Sequence, residues 1–181
     1  MQFLQGRNSS PRLMEPAPSA REMEDIFRAA VRAPDHAWLR PWRFITIAGQ
    51  RRDDFGQVLE QCLLQRNPEA DTAARQKARS AFLRAPLVVV VVARIKEHPK
   101  VPPIEQRLSA GCAAQSILLA AEAGGYAGIW RTGDAAFDRN VMTALGLEAH
   151  EEITGFIYLG TRDGTGKAVP SLDTADFVSS W

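Results

Sequence analysis

From Met23 onward, apolar residues recur at steps of three and four: Met23, Ile26, Phe27, Ala30 and Val31. That spacing lines one face of a helix. Ser19, followed three residues later by Glu22, has the spacing of a capping box and marks the helix start. The helix is predicted to end at Ala33-Pro34, because proline disfavours helical geometry in the residue before it. Phe55, Val58, Leu59, Cys62 and Leu63 repeat the pattern in a second helix, stopped by Asn67-Pro68. A third, more polar helix is expected over Glu69 to Arg84, presenting mainly alanines, with Phe82 near its end. From Ser109 to Ala123 nearly every residue is small or apolar, which predicts a helix buried almost all round. Gly124-Gly125 closes it, since glycine takes the left-handed cap conformation cheaply. Asp134 to Leu145 reads as a further helix.

Other stretches lack the helical period. Leu87 to Ala93 is continuously apolar and rich in valine, as suits a strand buried on both faces at the centre of a sheet. Arg43 to Ala48, Tyr126 to Trp130 and Ile153 to Leu159 are the other predicted strands. His98 to Pro103 carries three prolines and reads as a loop. Helices alternating with strands in this order make a layered helix-and-sheet domain, expected to be a single one over residues 1–181. The tail from Gly160 to Trp181 has little helical pattern, yet it ends on Phe177, Val178 and Trp181. Such a terminus is expected to pack on something, a second subunit included.

Composition narrows the function classes. A hydrophobic share of 45% against 24% charged residues is that of a globular chain. Lys and Arg total 22 against 21 Asp and Glu, so no global field favours nucleic acid or an anionic membrane. The longest apolar run, Pro86 to Ala93, is too short to span a bilayer as a helix, and the N-terminus lacks the apolar core of a signal peptide. A soluble, cytoplasmic protein is therefore expected. Cys62 and Cys112 are far apart without CxxC spacing, and His36, His98 and His150 are isolated, so no metal site is expected.

Common catalytic templates fail. There is no GxSxG, no Gly-Lys-Ser/Thr phosphate loop, no HExxH, and Gly124-Gly125 with Gly128 lacks dinucleotide-fingerprint spacing. Asp35-His36 reads either as an acid/base pair or as a surface cap. Two segments stand out. Arg7, Asn8, Ser9, Ser10 and Arg12 gather guanidinium groups and short donors, a set suited to phosphate or equally to a solvated terminus. Gly128-Ile129-Trp130-Arg131-Thr132-Gly133 puts bulky, cationic and hydroxyl residues at a strand end, where ligands often bind.

With these segments in order, the chain resembles the nitroreductase family, in its compact YdjA-like branch. The resemblance rests on Arg7-Asn8-Ser9-Ser10-Pro11-Arg12, Ala33-Pro34-Asp35-His36 with Pro41-Trp42, and Gly128 to Gly133. Glu15 to Pro18, Arg84 to Leu87, Lys100 to Pro102, Ser109 to Cys112 and Gly155 to Thr161 extend it over nearly the whole chain.

The resemblance implies an α+β nitroreductase-type fold, with a central mixed or antiparallel sheet flanked by helices, in an intertwined homodimer. It also implies FMN at the subunit interface, reduced by NADH or NADPH and reoxidised by a small-molecule electron acceptor such as a nitroaromatic or quinone. By the same resemblance Arg7, Asn8, Ser9, Arg32, His36, Trp130, Arg131 and Thr132 correspond to FMN contacts. Ala120, Ala121, Glu122, Ala123, Gly124 and Gly125 correspond to contacts with the nicotinamide nucleotide. The family often has a second basic residue where Asn8 stands, and Gln is commoner than Arg40 before Pro41-Trp42. No catalytic acid, base or nucleophile is expected, since a flavin carries its own hydride and electron chemistry. Another flavin reaction on the same fold (enone reduction, dehalogenation, dehydrogenation) and a non-catalytic flavin-binding dimer remain alternatives.

Overall fold

The computed structural model describes residues 2–181. A short helix, α1 (Gln2–Gly6), precedes the two-residue strand β1 (Leu13–Met14). Helix α2 (Ala20–Ala30) opens on the expected capping box: the Glu22 amide donates to Ser19 Oγ, and the Ser19 amide donates to Glu22 Oε2 at 2.8 Å. A tight turn at His36–Trp38, with non-helical backbone at Ala37, leads into β2 (Trp42–Ala48). Then come α3 (Arg51–Arg66), α4 (Thr72–Arg79), β3 (Leu87–Arg94), α5 (Pro103–Ala123), β4 (Ala127–Arg131), α6 (Arg139–Ala144) and β5 (Glu151–Arg162).

Every strand pairing is antiparallel among the described residues, with β3 between β2 and β5, and with β4 and β1 also paired to β5. Strand β3 is buried on both faces, as its valine run requires. Val88, Val90 and Val92 face a core with Phe55, Leu59, Phe82, Phe156 and Tyr158, covered by α3 and α6. Leu87, Val89 and Val91 face the opposite core, built from α2, α5, Ile157 and Leu159. The register of β5 slips between Ile153 and Gly155, where Thr154 is the extra residue against Val91 and Val92. This bulge lets Ile153, of odd number, share a face with Phe156 and Tyr158.

Three elements differ from the sequence expectation. Helix α5 begins at Pro103, six residues before Ser109, because proline is tolerated at the first helical position. Its buried Gln106 binds both the amide and the carbonyl of Lys96, each at 2.8 Å, and so pins the proline-rich segment to the helix. The expected helix Glu69–Arg84 splits in two. Asp71 caps α4 by accepting from the Ala74 amide at 2.7 Å, and after Ser80 the chain turns into a 3-10 segment, Ala81–Arg84. Likewise Asp134–Leu145 divides into a 3-10 turn at Asp134–Ala136 and the short α6, capped by Asp138. Nor is α5 buried all round, since Ile104, Leu108 and Cys112 form one exposed stripe at four-residue spacing. Phe177, Val178 and Trp181 are also exposed in the single chain.

Candidate functional site at the end of strand β4

Alternation along β4 sends Trp130 and Arg131 to opposite faces of the sheet. Trp130 lies flat across Gly155 of β5, filling the space a Cβ there would need, and its Cζ/Cη edge reaches Gly111 of α5. Arg131 turns the other way, its guanidinium 5.8 Å from the ring centre of Tyr158. Arg131 Nε is buried and has no hydrogen-bond partner. A buried, unpaired guanidinium N–H is costly and calls for an acceptor from outside the chain.

Around Arg131 lies a cavity of about 630 Å³. Lys77, Arg84, Arg131, Thr132 and the acidic Asp134 supply its polar wall, and Leu59, Cys62, Val141 and Tyr158 are among its apolar lining. Arg66 also reaches it but is held by Asp138 at 2.6 Å. Among the described residues, Lys77, Arg84 and Arg131 have no carboxylate partner, which leaves the cavity with surplus positive charge. Burial pushes the Tyr158 phenol up to about 12, while the charges of Arg131 and Arg84 pull the other way. It therefore stays protonated and able to donate. Burial also pushes the Cys62 thiol up, so Cys62 packs as a small apolar group.

The N-terminal basic motif reaches this strand. The Ser10 amide donates to the Gly128 carbonyl at 3.0 Å, which fixes Ser10 beside β4. Asn8 Nδ2 donates to the Lys167 carbonyl at 2.5 Å, tying the tail to the same place. The side chains of Arg7 and Ser9 make no hydrogen bond among the described residues and stay available.

Arg32 and His36 lie elsewhere. Arg32 lines a second cavity of about 400 Å³, with Asp35, Trp38, Arg40 and Trp42, on the side of the sheet that carries α2 and α5. The two cavities share no lining residue. His36 Nδ1 meets Glu105 Oε2 of α5 at 2.7 Å. Ala37, Trp38 and Arg40 all have positive φ (60°, 55° and 48°) without being glycine, a backbone state costing roughly 1–3 kcal/mol per residue. Ala120–Ala123 form the last turn of α5, and Gly125 rather than Gly124 adopts the left-handed cap, at φ +84°. This end of α5 is about 14–18 Å along the axis from Gly111, the α5 residue against Trp130. The structure thus puts Arg131 and Thr132 on one cavity and Trp130 on the opposite face of β4, anchors the N-terminal motif to β4 through Ser10, sets Ala120–Gly125 just ahead of that strand, and keeps Arg32 and His36 off the Arg131 cavity. Lys77, Arg84 and Tyr158 were not singled out from sequence as ligand residues. Only the surplus of basic residues on the polar helix hinted at Lys77.

Comparison with known proteins bears on the family and the fold. A sequence model of the Nitroreductase family matches residues 5–161. The chain is 44% identical over 161 residues to the "Putative NAD(P)H nitroreductase YdjA" of Escherichia coli, covering 89% of this chain and 87% of that protein. A Haemophilus influenzae protein described as a "Putative NAD(P)H nitroreductase" is 36% identical, over 98% of this chain and 96% of its own length. Among solved structures, a nitroreductase-like family protein from Bacillus cereus superposes with a TM-score of 0.83 at 18% identity, covering 99% of this chain and 94% of that one. The FMN-dependent nitroreductase NfnB from Mycobacterium smegmatis, solved with NADPH, gives 0.78 at 16% identity, over 99% and 96% of the two chains. With the family model matching most of its length, close relatives over nearly the whole chain and the fold in agreement, the chain belongs to the Nitroreductase family.

Proposed function

We propose that this protein is an FMN-dependent NAD(P)H oxidoreductase that reduces nitroaromatics, quinones or similar electron-poor small molecules. The observation that carries this reading is the buried, unpartnered Nε of Arg131 in a cavity where basic groups outnumber acidic ones. Its donors fit a phosphate-bearing flavin: guanidinium forks and a hydroxyl for the phosphate, and an apolar lining for the rings. Arg7, Asn8, Ser9, Arg131 and Thr132 would hold the cofactor, with Lys77 and Arg84 adding charge. Bound FMN supplies hydride acceptance from NADH or NADPH and electron donation to the second substrate.

The protein's part is binding, orientation and exclusion of water. Trp130, locked between Gly155 and Gly111, stiffens the end of β4 from the face opposite the Arg131 cavity. The protonated Tyr158 phenol beneath Arg131 adds no negative charge to compete with the anion. Ala120–Gly125 is proposed to meet the nicotinamide nucleotide.

The working unit is proposed to be a homodimer with FMN between subunits. Arg32 and His36, remote from Arg131 in one chain, would then serve the site of the other chain. The exposed stripe Ile104, Leu108 and Cys112 and the apolar terminus Phe177, Val178 and Trp181 supply surface for such an interface. Visible spectra of the purified protein test the reading. A flavin spectrum is expected that anaerobic NAD(P)H bleaches and a nitroaromatic or quinone restores. A colourless protein that takes up no FMN would refute it.

A further inference from the structure

The segment Ala37–Arg40 is held in a costly conformation by named contacts. His36 is tied to Glu105, the Arg40 amide donates to Asp35 Oδ2 at 2.7 Å, and Lys96 Nζ donates to the Leu39 carbonyl at 2.7 Å. Strain of this kind persists only where the surroundings enforce it, and it gathers at ligand clamps. The bracing fixes the backbone, yet it leaves Trp38 79% exposed. Within the single chain the indole is held out, with the Arg40 guanidinium 5.6 Å from its ring centre. Both side chains line the cavity that Arg32 and Trp42 share.

We propose that Trp38 and Arg40 form the docking platform for the electron acceptor, and that they select planar, electron-poor arenes bearing an anionic group. This deepens the flavin-reductase reading and rests on it, since the platform adjoins Arg32 and His36. The indole face is electron-rich and stacks offset on an electron-poor ring. Arg40 presents a forked donor that matches a carboxylate. Asp35 is the acidic group in the cavity, so positive charge exceeds negative there. A cavity of about 400 Å³ has room for one ring or two fused rings. Because the backbone is already immobile, little ordering is left for the acceptor to impose.

The test uses FMN-loaded protein and three probes: 4-nitrobenzoate, nitrobenzene and ferricyanide. Calorimetric binding of 4-nitrobenzoate to the oxidised protein is expected to weaken roughly tenfold or more in both Trp38→Ala and Arg40→Ala. Nitrobenzene binding should fall in Trp38→Ala but hardly change in Arg40→Ala, which separates stacking from charge. Trp38→Phe keeps an aromatic face and should recover most of the binding. In turnover, Trp38→Ala should lose about tenfold more kcat/KM for 4-nitrobenzoate than for ferricyanide, which accepts electrons without stacking, and Arg40→Ala about tenfold more for 4-nitrobenzoate than for uncharged nitrobenzene. Equal losses for all probes, unchanged 4-nitrobenzoate binding, or a Trp38→Phe variant no better than Trp38→Ala overturn the proposal. A Trp38→Ala protein that sediments as a monomer also overturns it, because the indole then packs on a partner chain. A wild-type protein without bleachable flavin refutes this proposal together with the functional reading, and its spectrum tells that case from the others.

Discussion

Trp130 occupies the space above Gly155 so fully that a Cβ on residue 155 would overlap the indole nitrogen. The two residues sit on adjacent antiparallel strands, where Trp130 pairs with Ile157, so the indole leans diagonally across the sheet. Gly155→Ala must therefore displace the ring or bend β5. A loss of about 1–3 kcal/mol in folding stability is expected, the usual cost of overpacking, together with reduced flavin occupancy. Urea denaturation and the flavin-to-protein absorbance ratio check both. Stability and flavin content unchanged from wild type would mean that Trp130 is not held as described.

Arg131 and Arg7 are expected to grip the cofactor phosphate. Arg131→Ala or Arg7→Ala should weaken FMN binding by about 1.5–3 kcal/mol, the range for hydrogen bonds to charged groups. Riboflavin, which lacks the phosphate, should be much less sensitive. Fluorescence titration of both ligands measures the contrast, and equal losses for the two would point to misfolding instead.

Acid should weaken the fold through Glu151. This buried carboxylate binds Arg43 through two bonds of 2.7 Å, with Arg94 Nε at 3.3 Å. The hydrogen bonds from Arg43, the amide of Glu148 and the nearby positive charges hold it at about 2, below its ordinary 4.5. Its contribution is thus complete above about pH 4.5 and is lost as pH falls through about 2. Glu151→Gln should cost roughly 3 kcal/mol at pH 7 and flatten the stability profile in that acid window. Urea unfolding at a series of pH values tests this, and a variant with the wild-type acid dependence would contradict it.

Removal of Asp176–Trp181 takes away three exposed apolar side chains: Phe177, Val178 and Trp181. Under the proposed dimer, the truncated chain should show lower dimer content in sedimentation and less bound FMN. A truncated chain that remains dimeric and saturated would remove the tail from the interface.

How much of this could be read from the sequence depended on whether a local pattern carried the information. Strand β3 was legible because seven apolar residues in a row leave few alternatives. Helix α2 was legible because Ser19 and Glu22 specify its start chemically. The start of α5 was not, since Pro99, Pro102 and Pro103 look alike in sequence, and only Pro103 opens a helix. Strand β1 is two residues long and has no period to detect. In the site, Arg131 and Arg7 stood out beside glycines and short donors. Lys77 and Arg84 did not, because convergence on Tyr158 arises only when α4 and the following turn fold over the sheet. The strained backbone at Ala37–Arg40 was equally hidden, as no glycine marks those positive φ angles.

The separation of Arg32 from Arg131 has a genetic consequence. If each flavin site draws one arginine from each subunit, the functional unit is the site and not the chain. A chain defective at Arg32 and a chain defective at Arg131 would each be inactive alone. Paired with one another, they would form one site carrying both lesions and one site carrying neither. Co-expression of the two alleles should therefore restore activity, up to roughly a quarter of the wild-type sites if pairing is random. Two alleles damaged at the same arginine should never complement.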